Sequence, residues 1–426
     1  MLRRTLMATA AIFALGVAQS AQAVNVNPLA NAQAGGVQPN AAALGVAAVA
    51  PYVTDTAIGD LMTAVLVTNA LSTPIALELL FIDGEEDGDW NAPSLPPCIL
   101  TPRETTALRF TPSGTDTIVD YECSSTVFDP SQQAFPPLNG LNNQIQTVLD
   151  NSQKGFVVIL ARAVTGTGTP ADPVNVPVAF TLAANSLVVD WTIVDYAAGE
   201  AYSAEAFHFQ DVTVDTANNE VALIFAGVPA VSATNVIIPD CVDRNNAATC
   251  DVDVELILVP MDGRLNEPPA QTVNIDVWND DEVNVDRKHD YECFDILRLA
   301  ALDSRFLAAS RCPTVAGFET APNGCVGHIE LTNLLTTGGV QHDVINGDGN
   351  GIRISSTIAW IVHRFRPTSA LNPGVPEILN YAGAAGLGIA NRAATARLFV
   401  TSVNPVTPFG GDPFASVINV RAVLNN

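Results

Sequence analysis

Two loops of this chain carry oxygen side chains at a spacing that could bind a metal ion. They contain Asp83, Glu85 and Asp87 in one case, and Asn346, Asp348 and Asn350 in the other. Calcium takes six to eight oxygen ligands, and loops rich in Asp and Asn supply them. The second loop matches the first half of an EF-hand loop, but Thr357 stands where the closing carboxylate would be. Because Asp-Gly and Asn-Gly steps are also typical of hairpin turns, calcium sites and plain turns are alternative interpretations. The sequence indicates no other cofactor.

Two tryptophans, Trp90 and Trp278, border acidic turns. Sugar-binding sandwiches hold a sugar with an exposed aromatic ring, which stacks on it beside carboxylates and amides. The alternative is that each ring packs over its own turn. These two residues are the candidate ligand aromatics, whereas Trp191 and Trp360 lie within apolar runs and are predicted to be core.

Catalytic signatures are missing from the sequence. It contains no Gly-x-Ser-x-Gly, no phosphate-binding glycine loop and no dinucleotide fingerprint. The five histidines are isolated from one another, so each is interpreted as a surface or hydrogen-bonded residue. A carboxylate pair could serve a glycosidase, but 44 acidic residues make any choice arbitrary. We predict a protein that is not an enzyme, with an extracellular hydrolase as an alternative.

The first 23 residues have the layout of a signal peptide. Arg3 and Arg4 precede an apolar stretch at 5–18, and Ala21 and Ala23 frame a small-x-small cleavage site. The apolar stretch is shorter than the ~20 residues that a membrane span needs, which argues against an uncleaved anchor. The sequence therefore predicts export to the periplasm or the cell exterior, a mature chain beginning at Val24, and no membrane span.

The chain is strongly acidic, with a formal net charge of −25. Residues 1–23 hold two arginines and no acid, so their removal changes the charge to −27. A field of this sign opposes binding to nucleic acid and suits a well-solvated surface. We predict no nucleic-acid partner, and a protein or a glycan as the kind of partner met at a cell surface.

The apolar runs are short, rich in Val, Ile, Thr and Leu, and separated by Gly and Pro, which indicates β-strands. One order of strands and turns occurs twice. Laid without gaps, the first copy matches the second at Leu77, Leu79 and Phe81 with Val273, Ile275 and Val277. These alternate residues lie on one face of a strand and are predicted to point into a core. Each copy resumes after a loop at a glycine, Gly155 or Gly327, and closes with a strand that contains tryptophan. We interpret this as a tandem duplication with a period of roughly 190 residues.

The chain has seven cysteines, and an exported chain meets an oxidising compartment, so disulfides are expected. Equivalent cysteines in two copies should form equivalent bonds, which predicts Cys98–Cys123 and Cys293–Cys312. Cys241 and Cys250 then close a short polar loop, and Cys325 is left as a free thiol. Six paired cysteines allow fifteen connectivities, so other pairings stay open.

The predicted fold is all-β, with two tandem antiparallel β-sandwiches that are immunoglobulin-like in the broad sense. The predicted segments are a signal peptide (1–23), a flexible leader (24–44), one sandwich (45–215), a second sandwich (216–366) and a C-terminal extension (367–426). Within the extension we expect a short helix or loop at 381–394 and strands at 398–403 and 417–423. Export, acidity and the missing motifs predict a structural, adhesive or assembly role in the envelope or outside the cell. A carbohydrate-binding module, assisted by calcium, is the alternative, because a fold does not fix a function.

Overall fold

The computed structural model of the chain is built almost entirely from strands. It describes residues 44–54, 61–84, 98–122, 144–166, 182–197, 199–209, 212–215, 220–224, 229–260, 271–279, 282–291, 294–308, 326–333, 357–365, 381–392, 397–401 and 420–422. The strands are β1 (Ala47–Val53), β2 (Leu61–Asn69), β3 (Ile75–Asp83), β4 (Cys98–Leu100), β5 (Thr105–Ser113), β6 (Asp116–Glu122), β7 (Gln144–Leu149), β8 (Lys154–Arg162), β9 (Leu187–Asp195), β10 (Glu200–Glu205), β11 (Phe207–Phe209), β12 (Val212–Asp215), β13 (Glu220–Ile224), β14 (Pro229–Ile237), β15 (Asp240–Cys241), β16 (Cys250–Pro260), β17 (Gln271–Asn279), β18 (Asn284–Tyr291), β19 (Asp295–Arg298), β20 (Val326–Asn333), β21 (Thr357–Phe365), β22 (Tyr381–Gly386), β23 (Gly388–Arg392), β24 (Arg397–Thr401) and β25 (Val420–Ala422). A single turn of α-helix, α1 (Leu299–Leu302), follows β19. The predicted all-β class is confirmed.

These strands form five antiparallel sheets, which we name A to E. Their strand orders are β10-β9-β2-β5-β6-β7 in sheet A, β11-β1-β8-β3-β4 in sheet B, β15-β16-β21-β22 in sheet C, β18-β17-β20-β14-β23 in sheet D and β12-β13-β24-β25 in sheet E. Strand β19 pairs with β16 and so also belongs to sheet C. Among the described residues, no helix combines the length and apolar character that crossing a bilayer requires.

The expectation of a helix or loop at 381–394 is wrong, because β22 and β23 lie there. Strand β22 pairs with β21, and β23 pairs with β14, so these two strands extend sheets C and D. The segment is rich in Ala and Gly, residues of low strand propensity, so its sequence alone did not indicate strands.

Strand β2 of sheet A and strand β17 of sheet D each bury one side. In β2 the buried residues alternate with more exposed ones along the whole strand. In β17 the buried residues are Val273, Ile275 and Val277, which are at most 1% exposed. This alternation is the pattern of antiparallel sheets with one solvated face, and it agrees with the prediction that these residues point into a core.

Sheets B and C are buried on both faces. In β8 eight consecutive residues are buried, and in β21 the first six are. Alternate side chains of sheet C enter two different cores: Ile257 and Trp360 join the core of sheets A and B, whereas Leu256 and Ile361 join the core that includes sheet D. The Phe207 ring of sheet B lies 4.8 Å from the Trp360 ring of sheet C. Sheets A and B therefore share one core, sheets C and D share another, and side chains of sheet C enter both, so the two cores meet at a buried interface.

The same pairing order occurs twice along the chain. The order β11-β1-β8-β3 in sheet B corresponds to β23-β14-β20-β17 in sheet D, and β10-β9-β2-β5 in sheet A corresponds to β22-β21-β16-β19 in sheet C. The matched glycines occupy matched positions, because Gly155 lies opposite Asp83 and Gly327 lies opposite Asn279. This correspondence supports the duplication, while the immunoglobulin-like topology and the boundaries of the two sandwiches stay predictions.

Candidate functional site

One of the six candidate calcium ligands falls within the described residues. Asp83 ends β3, is 5% exposed and lies opposite Gly155 of β8. The other five candidates, which are Glu85, Asp87, Asn346, Asp348 and Asn350, lie outside the described residues. Calcium binding at either loop therefore stays a prediction.

Trp278 lies half-buried on the face of sheet D that points away from the core. In β17 it pairs with Asn284 on one side and His328 on the other, and the Trp278 and His328 rings are 6.1 Å apart. The Asn284 amide also approaches Asp276 Oδ1 at 3.4 Å. An accessible indole edged by amide, imidazole and carboxylate groups is the arrangement that a stacking residue needs. Trp90 lies outside the described residues.

The structure contains the predicted bond Cys241–Cys250, whose residues lie opposite each other on β15 and β16. Cys98 is also disulfide-bonded, and its Sγ lies 3.8 Å from the carbonyl oxygen of Glu122. The remaining cysteines, Cys123, Cys293, Cys312 and Cys325, lie outside the described residues. The bonds Cys98–Cys123 and Cys293–Cys312 and the free thiol therefore stay predictions.

Cys241, Cys250 and Asp253 bring three ligand-type atoms within 4.8 Å of one another. The two sulfurs are bonded to each other, so neither is a thiolate, the form that binds metals. Arg298 donates from Nε to Asp253 Oδ2 at 3.0 Å, and its Nη2 lies 3.4 Å from Cys250 Sγ. Because the guanidinium already supplies the positive charge, we assign no metal to this cluster.

Each histidine of the described residues has a polar partner, as expected for isolated histidines. The pairs are His208 with the Val189 amide, His363 with the Ile237 amide, His289 with Asp295 and His328 with Glu330. Burial lowers the pKa of His363 to about 4, so its neutral Nε2 accepts the hydrogen bond from Ile237. These pairs occupy separate strands and do not converge on one site, and His342 lies outside the described residues.

The main charged cluster that the structure does bring together surrounds Arg364 of β21. Arg364 Nη1 lies 3.2 Å from Asp195 Oδ2 and 3.6 Å from Glu200 Oε2, and Nη2 lies 3.1 Å from Glu255 Oε2. Nη2 also donates to the Tyr202 hydroxyl at 3.1 Å, and the guanidinium carbon stands 5.0 Å from the centroid of that ring. Asp195, Glu200 and Tyr202 come from sheet A, so a residue of sheet C binds three residues of sheet A.

The ion pairs of the Arg364 cluster are buried, and burial sets how much they contribute to stability. The side chains in the ion pairs are at most 12% exposed. Burial by itself lowers the pKa of Arg364, but Glu255, Tyr202, Glu200 and Asp195 together raise it above its ordinary value. Removing one partner of a buried pair costs about 3–5 kcal/mol, because it leaves uncompensated charge. The Arg364 cluster therefore fixes sheet C against the edge of sheet A.

A second buried pair lies within sheet B, on two neighbouring strands. Arg162 Nη1 of β8 stands 3.5 Å from Glu78 Oε2 of β3, and Arg162 is 1% exposed. Burial raises the pKa of Glu78 to about 7, although the Arg162 charge opposes the rise. Glu78 therefore exchanges its proton near neutral pH inside the molecule.

Two carboxyl groups, Asp190 of β9 and Glu205 of β10, lie directly opposite each other in sheet A. Burial raises the pKa of both, and the Asp190 charge helps to raise that of Glu205 to about 7. Like charges opposite each other on neighbouring strands are destabilising, so we expect the pair to hold one proton near neutral pH. The Glu205 carbonyl oxygen accepts a hydrogen bond from Trp360 Nε1 at 3.0 Å, which adds a link between sheets A and C.

Reasoning from the sequence missed all three charged groups, although the sequence contains a signal for one of them, the Arg364 cluster. Glu255 interrupts the apolar run of β16, and Arg364 closes that of β21. An ionisable residue inside an otherwise buried strand needs a partner. The partners Asp195 and Glu200 are distant in the sequence, so it could not identify them.

Comparison of the chain with protein-family models, with curated proteins and with solved structures gives no match.

Proposed function

We propose that this chain is an exported, non-enzymatic protein of the cell envelope or cell exterior, with a structural, adhesive or assembly role. The observation that carries the proposal is the buried junction between the two sandwiches. Trp191 of sheet A and Trp360 of sheet C meet edge to face at 5.8 Å, and both are fully buried. Arg364 adds its ionic cluster beside them.

The ionisable groups with strongly perturbed environments support an architectural role. In enzymes such groups face a cleft that substrate can enter. Here Glu78, Arg364 and Tyr202 are at most 12% exposed, and their partners lie on neighbouring strands or sheets, so their interactions hold strands together. A rigid two-sandwich body leaves the outer faces of sheets A and D for contact with a partner.

Three features support export. Residues 1–23 have the signal-peptide layout, the chain holds at least two disulfide-bonded segments at Cys98 and at Cys241–Cys250, and the surface charge is strongly negative. Disulfides persist in oxidising compartments, where acidic, well-solvated surfaces also keep proteins soluble.

Export is tested by expressing the full chain in a bacterial host and sequencing the N-terminus of the protein recovered from each fraction. We expect a chain that begins at Val24 in the periplasm or the medium. Substituting Ala21 and Ala23 with larger residues should leave an uncleaved precursor, and a wild-type chain that stays in the cytoplasm with Met1 intact contradicts export.

The architectural role is tested on the mature protein. We expect it to co-sediment saturably with envelopes of the organism that encodes it, and to leave a panel of glycoside, ester and peptide substrates unchanged. Turnover of any substrate by the wild-type protein, abolished by substitution of a single residue, contradicts a non-enzymatic role.

Carbohydrate binding is the second candidate, and the position of Trp278 favours it. The ring lies on a polar sheet face beside Asn284, His328 and Asp276. On a glycan array we expect Trp278→Ala to lose binding, while Tyr196→Ala, at a tyrosine 60% exposed after β9, retains it. If the wild-type protein binds no glycan, carbohydrate binding is excluded, while the proposed architectural role is unaffected.

A further inference from the structure

The Cys241–Cys250 bond joins an accessible sulfur to a buried one. Cys250 is 0% exposed, whereas Cys241 is partly exposed at the start of a loop in which Val242 is 93% exposed. Thiol–disulfide exchange needs an approach to one sulfur while the other leaves. An attacking thiolate can reach Cys241, so Cys250 is the leaving sulfur.

The leaving sulfur has a cation beside it. Arg298 Nη2 lies 3.4 Å from Cys250 Sγ, while the same guanidinium donates to both oxygens of Asp253. A neighbouring arginine lowers the pKa of a thiol, and a leaving thiol of lower pKa departs faster. The negative charge of Asp253 would raise the pKa of the Cys250 thiol. Asp253 is bound to Arg298, however, and it is Arg298 Nη2 that contacts the sulfur directly.

The loop between the two cysteines has hydrogen bonds that do not depend on the disulfide. Val242 N donates to Thr249 O at 3.1 Å, and Asp243 N donates to Thr249 Oγ1 at 3.0 Å. Asn246 Oδ1 accepts from Ala248 N at 3.1 Å. The loop can therefore keep its shape when the bond opens, which favours reversible reduction.

We propose that Cys241–Cys250 is a thiol–disulfide exchange site for a dithiol reductant. The reductant thiolate forms a bond to Cys241 Sγ, and the electron pair of the broken bond passes to Cys250 Sγ, which leaves as a thiolate beside Arg298. The second thiol of the reductant then attacks the mixed disulfide. Cys241 leaves and takes up a proton, the protein has gained two electrons, and the reductant has become a disulfide. This site is independent of the architectural role and of sugar binding.

The test measures the reduction equilibrium of each bond in the intact mature protein. The protein is equilibrated in reduced and oxidised dithiothreitol, alkylated, and analysed by peptide mass spectrometry. The bond of Cys98, which is 1% exposed, is the internal reference. We expect Cys241–Cys250 to be reduced with an equilibrium constant at least tenfold larger than that reference, which corresponds to about 30 mV.

Two variants separate the charge effect from loss of stability. Arg298→Gln should lower the equilibrium constant for reduction about tenfold, whereas Asp253→Asn should raise it, because the Arg298 charge is then undivided. General destabilisation would move both variants in the same direction. Arg305→Gln is the matched control, since Arg305 pairs with Asp303 on an exposed segment and should change nothing.

The reduced wild-type protein provides a separate readout. Because Cys250 is buried, its ionisation is followed by the ultraviolet absorbance of the thiolate, which should show a step with its midpoint at a pH below ~8.5, the pKa of an unperturbed cysteine. The proposal is overturned if the Cys98 bond is reduced before Cys241–Cys250. It is also overturned if the equilibrium constant for reduction changes equally in Arg298→Gln and Arg305→Gln, or in the same direction in Arg298→Gln and Asp253→Asn.

Discussion

Two glycines, Gly155 of β8 and Gly327 of β20, show how single residues fix the register of neighbouring strands. A Cβ atom at Gly155 would lie 2.1 Å from the Ile82 carbonyl oxygen, and one at Gly327 would lie 2.4 Å from the Trp278 carbonyl oxygen. Both carbonyls belong to backbone and cannot move without shifting a strand. The absence of a side chain is therefore required at the same position of each copy.

We expect Gly155→Ala and Gly327→Ala each to destabilise the protein by about 3 kcal/mol, at the upper end of the cost of overpacking. Urea unfolding at neutral pH measures the change in free energy. Gly386→Ala is the matched control, because its new Cβ would make only ordinary contacts, 3.4 Å or more from its neighbours. Equal behaviour of all three variants would contradict the assigned role of the close approach.

The raised pKa of Glu78 predicts that the protein becomes less stable as the pH rises. Its pKa rises from 4.5 to about 7 on folding, so the folded state binds the proton more tightly. Its stabilising contribution is complete below pH 4.5 and is lost as the pH rises through 7. Relative to Glu78→Gln, which mimics the protonated form, the wild-type protein should lose roughly 3 kcal/mol over this range.

This difference is measured by urea unfolding of both proteins at several pH values between 4 and 8. Taking the difference cancels other titrating groups, including Glu205, whose pKa also rises to about 7, and His363, whose lowered pKa acts in the opposite sense. A constant difference across the pH range would show that Glu78 titrates as an ordinary exposed glutamate.

Strands buried on one face and strands buried on both faces differ in their sequence patterns. Strands β2 and β17 alternate and could be predicted, including the direction of Val273, Ile275 and Val277. Strands β8 and β21 are apolar on both sides, and such runs indicate a strand between two layers. The sequence interpretation treated each sandwich as having its own core, so it did not anticipate the interface of sheets B and C.

The junction of β9, β10, β16 and β21 depends on Arg364. We expect Arg364→Met to destabilise the protein by about 3–5 kcal/mol at neutral pH, since Glu255, Asp195 and Glu200 would keep buried charges without their cation. Chemical denaturation at neutral pH measures the change in the free energy of unfolding.

Arg305→Met is the control for Arg364→Met, because the Arg305 side chain is 54% exposed. We expect the Arg305→Met protein to keep the unfolding midpoint of the wild type. If the two variants unfold alike, the Arg364 cluster does not hold the sheets together.

At the scale of the whole molecule, the shared interface should make the two sandwiches unfold together. Trp360 contacts Phe207 of sheet B and Trp191 of sheet A, so it belongs to the core of the first copy although it lies in the second. We expect the wild-type protein to give one calorimetric transition. Trp360→Ala should cost about 3–5 kcal/mol, the usual result of deleting a buried tryptophan, and should separate the transition into two.

Trp278→Ala makes the same substitution on the outer face of sheet D and should keep one transition. Two transitions in the wild-type protein would mean that the sandwiches are energetically independent despite their contact.

Local pattern alone determined that this chain forms antiparallel strands, where many of them lie and which residues of β17 point inward, and it favoured Cys241–Cys250 among the disulfide pairings that stayed open. These properties depend on the two-residue period of a strand and on short loops, which a sequence displays directly. Only the tertiary structure decided that sheets B and C bury both faces, that Trp191 meets Trp360, and that Arg364 finds Asp195 at a separation of 169 residues. Burial of a second face and the pairing of buried charges depend on which surfaces meet in space. The local periodicity of a chain does not determine which of its distant segments come into contact.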